Sequence, residues 1–212
     1  CYTLFKRITG RQPAWGSLTG IRPTRLYYQQ LENGKTRDEA RKTLAALFDL
    51  SREKIDLLDE ILNAQQGLID RRPEACDLYI GIPFCTTRCA YCSFSSGEIG
   101  DGHLVEPYLN ALFHEIEACA QMAGDMGLHI RVGYIGGGTP SSLTTSQLDR
   151  LLNQIEKCFG SFEEFTVEAG RPDTLDEQKL RMLHSHPVTR ISINPQTMND
   201  ETLMRIGRAH TA

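Results

Sequence analysis

Long apolar runs are missing from this chain of 212 residues. No stretch approaches the roughly 20 residues that a bilayer-spanning helix needs. No signal peptide is legible. The chain opens at Cys1 rather than methionine and stops at "GRAHTA", and the expectation is a piece open at both ends. A disulfide framework is missing too: the seven cysteines are odd in number, with three clustered and Cys1, Cys76, Cys119 and Cys158 scattered. Clustering of this kind points to metal or redox chemistry in a reducing compartment, the cytoplasm. Acidic residues are absent from the first thirty positions, which hold Lys6, Arg7, Arg11, Arg22 and Arg25. Residues 1–73 carry 13 basic and 9 acidic side chains, and residues 74–212 carry 10 and 18. The basic arm reads as a solvated face, as a face that docks on the acidic remainder, or as an anion or nucleic-acid contact. A disordered composition is excluded, because 40% of the residues are apolar, enough to bury a core.

Two rhythms follow each other. Residues 1–73 read as a helical region. "RPTRLYYQQLENG" has Pro23 at a helix start and Gly34 at its stop. "TRDEARKTLAALFDL" opens with a capping box from Thr36 to Glu39 and spaces Leu44, Leu47 and Leu50 along one face. Ser51 caps a third helix with a stripe of Ile55, Leu58, Ile61 and Leu62. "WGSLTGIRP" is a glycine-rich loop around the single tryptophan, and "DRRPEACD" is the linker.

Residues 74–212 alternate strand, loop and helix. The strands are "LYIGIPF", "RVGYIGGG", "EFTVEAG" and "RISINPQ". The helices between them start at capping boxes Thr144 to Gln147 and Thr174 to Glu177, and Asn199 caps a last one. Four β-α units in series predict an α/β fold with a parallel sheet, whose chemistry collects at the C-terminal strand ends. The cysteine cluster follows strand one, and Gly136 to Thr139 follow strand two. Glu168 ends strand three, and Gln196 ends strand four.

What is present in "IPFCTTRCAYCSF" is a C-x3-C-x2-C spacing, Cys85, Cys89 and Cys92, with no fourth cysteine. Structural zinc takes four Cys or His ligands, usually from two knuckles, and no second knuckle exists. A redox dithiol is present in form at Cys89 and Cys92, but the third cysteine argues against it. A fully ligated cubane iron–sulfur cluster takes four thiolates, and three leave one iron open to a small molecule.

These residues resemble the radical S-adenosylmethionine (SAM) enzymes: the C-x3-C-x2-C follows a first strand, and an aromatic, Tyr91, precedes the third cysteine. The resemblance implies a full or partial (β/α) barrel. It also implies a [4Fe–4S] cluster on Cys85, Cys89 and Cys92 whose open iron chelates SAM, and a 5′-deoxyadenosyl radical that takes hydrogen from substrate. The blocks "LYIGIPFCTTRCAYCSF", "YIGGGTPSSLTTSQLDRLL", "FTVEAGRPDTLD" and "RISINPQTMNDETLMRIGRAH" resemble the oxygen-independent coproporphyrinogen III oxidase family. "WGSLTGIRPTRL" is similar to the extension of its Bacillus-type coproporphyrinogen dehydrogenase branch. From that resemblance Tyr79 contacts SAM and Tyr91 lies along the adenine. Gly137, Gly138 and Thr139 receive the methionine amino group, and Glu168, Gln196 and Arg208 are further SAM contacts.

The implied reaction is oxidative decarboxylation of two propionates of coproporphyrinogen III to vinyl groups, giving protoporphyrinogen IX. An electron donor of unidentified class is implied with it. Two departures mark the chain. Gly81 stands where the family has histidine. Phe94 stands where the oxidase has cysteine and haem-handling members have phenylalanine, so haem binding and trafficking is the alternative function. RNA modification, known among other radical SAM enzymes, draws only on the basic arm. Four units fall short of a full barrel, so the expectation is a core truncated at its C-terminus.

Overall fold

The structure, a computed structural model, describes residues 1–20, 22–68 and 72–212. The chain divides into two compact units, Cys1–Asp70 and Arg71–Ala212.

The first unit is helical: α1 (Tyr2–Thr9), α2 (Pro23–Glu32), α3 (Arg37–Phe48) and α4 (Arg52–Ala64). Pro23 opens α2, where a missing N–H costs no helical bond. The Thr36 hydroxyl accepts from the Glu39 N–H and the Glu39 carboxylate from the Thr36 N–H, closing the expected capping box. Ser51 caps α4 by accepting from the Lys54 N–H. Tyr27, Ala40, Leu44, Leu50, Ile55, Leu58 and Leu62 form the core. Leu47 does not join it and is 63% exposed. Helix α3 stops at Phe48 and Asp49 turns the chain at φ 56°, so Leu50 reaches the core from the loop while Leu47 points away. Helix α1 is an element that the sequence reading left undivided; its Leu4, Phe5 and Ile8 are exposed.

The second unit holds the parallel sheet. Strands β1 (Ala75–Ile82), β4 (His129–Gly137), β5 (Glu164–Glu168) and β6 (Arg190–Ser192) lie in that order, every pair parallel. Helices α5 (Val105–Asp125), α6 (Thr145–Phe159) and α7 (Glu177–Ser185) connect them, and α8 (Asp200–Arg205) follows β6. Alternation sorts the strand residues. Ile80, Ile82, Ile135, Phe165 and Val167 pack against Leu109, Leu112, Ile116, Leu148, Leu152 and Leu183 of the helices. Tyr79, Tyr134 and Glu168 stand on the other face. A short parallel pair, β2 (Phe84–Cys85) with β3 (Gly97–Glu98), branches off after Pro83.

Two expectations are corrected. The cap expected at Thr174 lies at Asp176, which accepts the Lys179 N–H at 2.7 Å. Residues Pro172–Thr174 form a 3-10 turn instead, and the Thr174 hydroxyl donates to the Arg171 carbonyl at 2.7 Å. Strand β6 is only three residues long, Arg190–Ser192, and its pairing ends where β5 ends, at Glu168 opposite Ser192; Pro195, further on, could not extend a ladder. Gln196 therefore lies beyond the strand rather than at its end, in the left-handed region at φ 67°.

Candidate functional site

The turn after β4 comes close to the cysteine segment. The Gly138 N–H donates to the Ile82 carbonyl and the Thr139 N–H to the Phe84 carbonyl, both at 2.7 Å. A Cβ on Gly138 would sit 2.7 Å from the Phe84 oxygen and 3.0 Å from Cys85 Sγ, and Gly137 sits at φ 110°. Only glycine fits this approach without displacing backbone. The Thr139 hydroxyl donates to Cys85 Sγ at 3.4 Å.

Beyond Cys85 the loop is tied on three sides. The β3 side holds it through Glu98, whose carboxylate accepts the Arg88 N–H at 2.9 Å. The α8 side holds it where the Ala90 N–H donates to the Ile206 carbonyl and the Thr87 hydroxyl to the Gly207 carbonyl, both at 3.1 Å. From the β5 side the Arg171 Nη1 donates to the Thr87 carbonyl at 3.1 Å and to its hydroxyl at 2.9 Å.

These segments surround a cavity of about 330 Å³ lined by Cys85, Cys89 and Cys92. Its wall also contains Tyr91, Gly137, Gly138, Thr139, Glu168, Gln196 and Arg208, so every residue expected to hold the cluster or SAM borders it except Tyr79. Arg208 donates to the Gly170 carbonyl at 3.3 Å and to the Tyr91 hydroxyl at 3.4 Å. Tyr79 lines an adjoining cavity of about 610 Å³, which shares Phe94, Gly137, Gly138 and Glu168 with the first. Gly81 borders this second space, and its carbonyl accepts from the Tyr108 hydroxyl.

Tyr134 is a residue the sequence reading passed over. Its register partner in β1 is Tyr79, and the two rings stack at 5.9 Å. Its hydroxyl donates to Glu168 Oε1 at 2.5 Å. Burial, then this carboxylate, pushes the Tyr134 phenol up to about 12. Burial and Glu168 also raise Tyr79, so both rings remain neutral donors at physiological pH. Arg171 was missed as well. It is 2% exposed, and its partner Thr87 lies 84 residues away, so no local pattern marks it.

The donor set can be tested against the implied group. No tight group of three or more His, Cys, Asp or Glu side chains suited to one metal ion occurs among the described residues. In an iron–sulfur cubane each thiolate binds a separate iron, so the sulfurs border a space rather than meet at a point. Three cysteines around one cavity, backed by a glycine that no side chain could replace, fit the cluster. Glu168 supplies an acceptor for an ammonium group, and Arg88, Arg171 and Arg208 put cationic groups in the same wall.

A family model described as the Radical SAM superfamily matches residues 79–212. The chain is 39% identical over 215 residues to the oxygen-independent coproporphyrinogen-III oxidase-like protein HemZ of Bacillus subtilis (strain 168), covering 98% of this chain and 43% of that protein. It is 41% identical over 135 residues to the heme chaperone HemW of the same organism, covering 62% of this chain and 35% of that protein. Among solved structures, coproporphyrinogen III oxidase (HemN) from Escherichia coli, described as a radical SAM enzyme, matches with a TM-score of 0.58 at 28% identity. That match covers 72% of this chain and 34% of the other. The chain thus spans less than half the length of these relatives.

Proposed function

Because the chain belongs to the radical SAM superfamily, we propose that it is the cluster- and SAM-binding part of an oxygen-independent coproporphyrinogen III oxidase-like enzyme. The observation that carries this reading is the similarity to the oxidase-like HemZ over 98% of the chain, helical unit included. When bound, the cluster and SAM supply one-electron chemistry that ends in hydrogen abstraction from substrate. Cys85, Cys89 and Cys92 hold the cluster and leave one coordination position for SAM. Glu168 and the Gly137–Thr139 turn take the SAM ammonium group, and Tyr91 lies against the adenine. Arg208 fixes Tyr91 through its hydroxyl, and Gln196 supplies an amide to the same wall. Tyr79 and Tyr134 face the larger cavity, where a tetrapyrrole propionate would lose a hydrogen atom from its β-carbon, then CO2 and one electron, the electron passing to an acceptor that the reaction requires, to leave a vinyl group. Anaerobic incubation of the full-length protein with coproporphyrinogen III, SAM and dithionite should yield protoporphyrinogen IX. SAM cleavage without that product would remove the oxidase reading and leave the superfamily chemistry intact.

Phe94 favours a second reading. It is 67% exposed at the junction of the two cavities, and the chain also resembles the heme chaperone HemW. In this reading the protein binds haem and hands it on. Tight haem binding without porphyrinogen turnover would support it.

A further inference from the structure

Arg171 is a buried cation in the wall of the cysteines' cavity whose hydrogen bonds go to their loop and to Asp173. Its side chain is 3% exposed, and its Nε donates to Asp173 Oδ1 at 3.1 Å. Its Nη1 holds both the carbonyl and the hydroxyl of Thr87, midway between Cys85 and Cys89. The remaining group, Nη2, is buried and has no hydrogen-bond partner. A buried guanidinium donor left unpaired is costly, and native folds keep few of them. This one belongs to a residue that lines the cavity of the three cysteines.

The balance of charge gives that position a consequence. A [4Fe–4S] cluster on three thiolates is anionic, and it becomes more so on accepting an electron. A nearby fixed cation, or an N–H directed at a sulfur, favours the reduced form and raises the reduction potential. Asp173, only 18% exposed, offsets part of the charge through Nε; the Nη2 donor, which has no hydrogen-bond partner, keeps the positive end of the guanidinium open. Arginine suits the place better than lysine, because its planar fork can hold Thr87 and Asp173 together and still keep one amino group free.

We propose that Arg171 is a positioning residue for the cluster. Its Nη1 fixes the Cys85–Cys89 loop at Thr87, and its charge, with Nη2 uncommitted, raises the potential at which the cluster is reduced. This inference rests on the reading of the three cysteines as cluster ligands.

The test uses the full-length protein reconstituted anaerobically with iron and sulfide. Wild type, Arg171→Gln, Arg171→Lys and Thr87→Ala are compared by iron and sulfide content, by EPR of the reduced cluster with and without SAM, and by redox titration. Arg171→Gln should load less iron, and the cluster it does hold should have a lower midpoint potential. Arg171→Lys should recover much of the potential but not the loading, since it restores the charge without the fork. Thr87→Ala, a change at an exposed position that keeps Arg171 in place, should weaken loading several-fold and leave the potential near wild type. Equal loading, EPR and potential in all four proteins would overturn the proposal. Should Arg171→Gln fail to fold, Thr87→Ala and Arg171→Lys decide: wild-type loading in both would overturn it. A wild-type protein that loads no cluster would instead refute the reading of the cysteines on which the proposal stands.

Discussion

Each unit contains a tyrosine that gives its hydroxyl to a carboxylate. In the helical unit Tyr27, with no exposed surface, donates to Asp59. Asp59 also pairs with Arg41, and Arg41 in turn reaches Asp56. The acid is neutralised, and the network joins α2, α3 and α4. In the sheet unit Tyr134 donates to Glu168, which has no ion-pair partner among the described residues and borders both cavities. The same pair of groups is a closed structural joint in one place and an open acceptor in the other. The difference lies in where the arginine goes: Arg41 pairs with the acid that the tyrosine contacts, while the sheet unit's buried Arg171 pairs with Asp173 and the cysteine loop and leaves Glu168 without a cation among the described residues.

The most severe break in this comparison is Cys89→Ala. It should abolish iron–sulfur loading, measured as iron per chain, while leaving the far-UV helix signal unchanged. Next in size, Leu58→Ala removes a fully buried side chain from the helical core. It should cost about 2–5 kcal/mol of stability in urea unfolding without altering iron content. The two tyrosines sharpen the contrast. Tyr27→Phe leaves Asp59 short of a donor and should cost about 1–2 kcal/mol. Tyr134→Phe should change stability by less than about 0.5 kcal/mol and weaken SAM binding several-fold by calorimetry, because Glu168 loses the bond that orients it. Equal stability losses in the two would erase the distinction.

A smaller effect tests charge in the sheet unit. His186, at the end of α7, lies between Asp149 and Glu156 of α6, with Nε2 2.9 Å from Asp149 Oδ1. Burial lowers its pKa, but the two carboxylates outweigh burial and the net direction is up. A raised folded pKa means that the stabilisation is complete below the unfolded value near 6.5 and is lost as pH rises through the folded value. Both carboxylates are partly exposed, so screening limits the contribution to about 1 kcal/mol. His186→Gln should be less stable than wild type at pH 6, and the gap should close in alkaline buffer.

Legibility followed the range of the interactions. Capping boxes at Thr36 and Thr144 and the cap at Asn199 were readable because donor and acceptor lie three residues apart. The cap expected at Thr174 was not, because that hydroxyl is drawn to the Arg171 carbonyl and the Lys179 ammonium takes the Thr174 carbonyl at 2.9 Å. The cysteines and the glycine turn were visible as spacing and composition. The β2–β3 pair is two residues long and carries no periodicity. Tyr134 could have been found by laying strand two beside strand one in register, which puts Tyr79, Tyr134 and Glu168 on one face. Arg171 offered no such route, since its contact with Thr87 joins positions 84 residues apart.

Gln196 is held at φ 67°, where a side chain costs roughly 1–2 kcal/mol and glycine nearly nothing. A chain selected for folding alone would carry glycine there. Gln196→Gly should therefore leave thermal stability level or slightly higher while removing the only amide that this position offers to the cavity wall. If SAM affinity falls in that variant, position 196 trades conformational ease for recognition, and a stability screen run without the cofactor would select against the very residue the cavity uses.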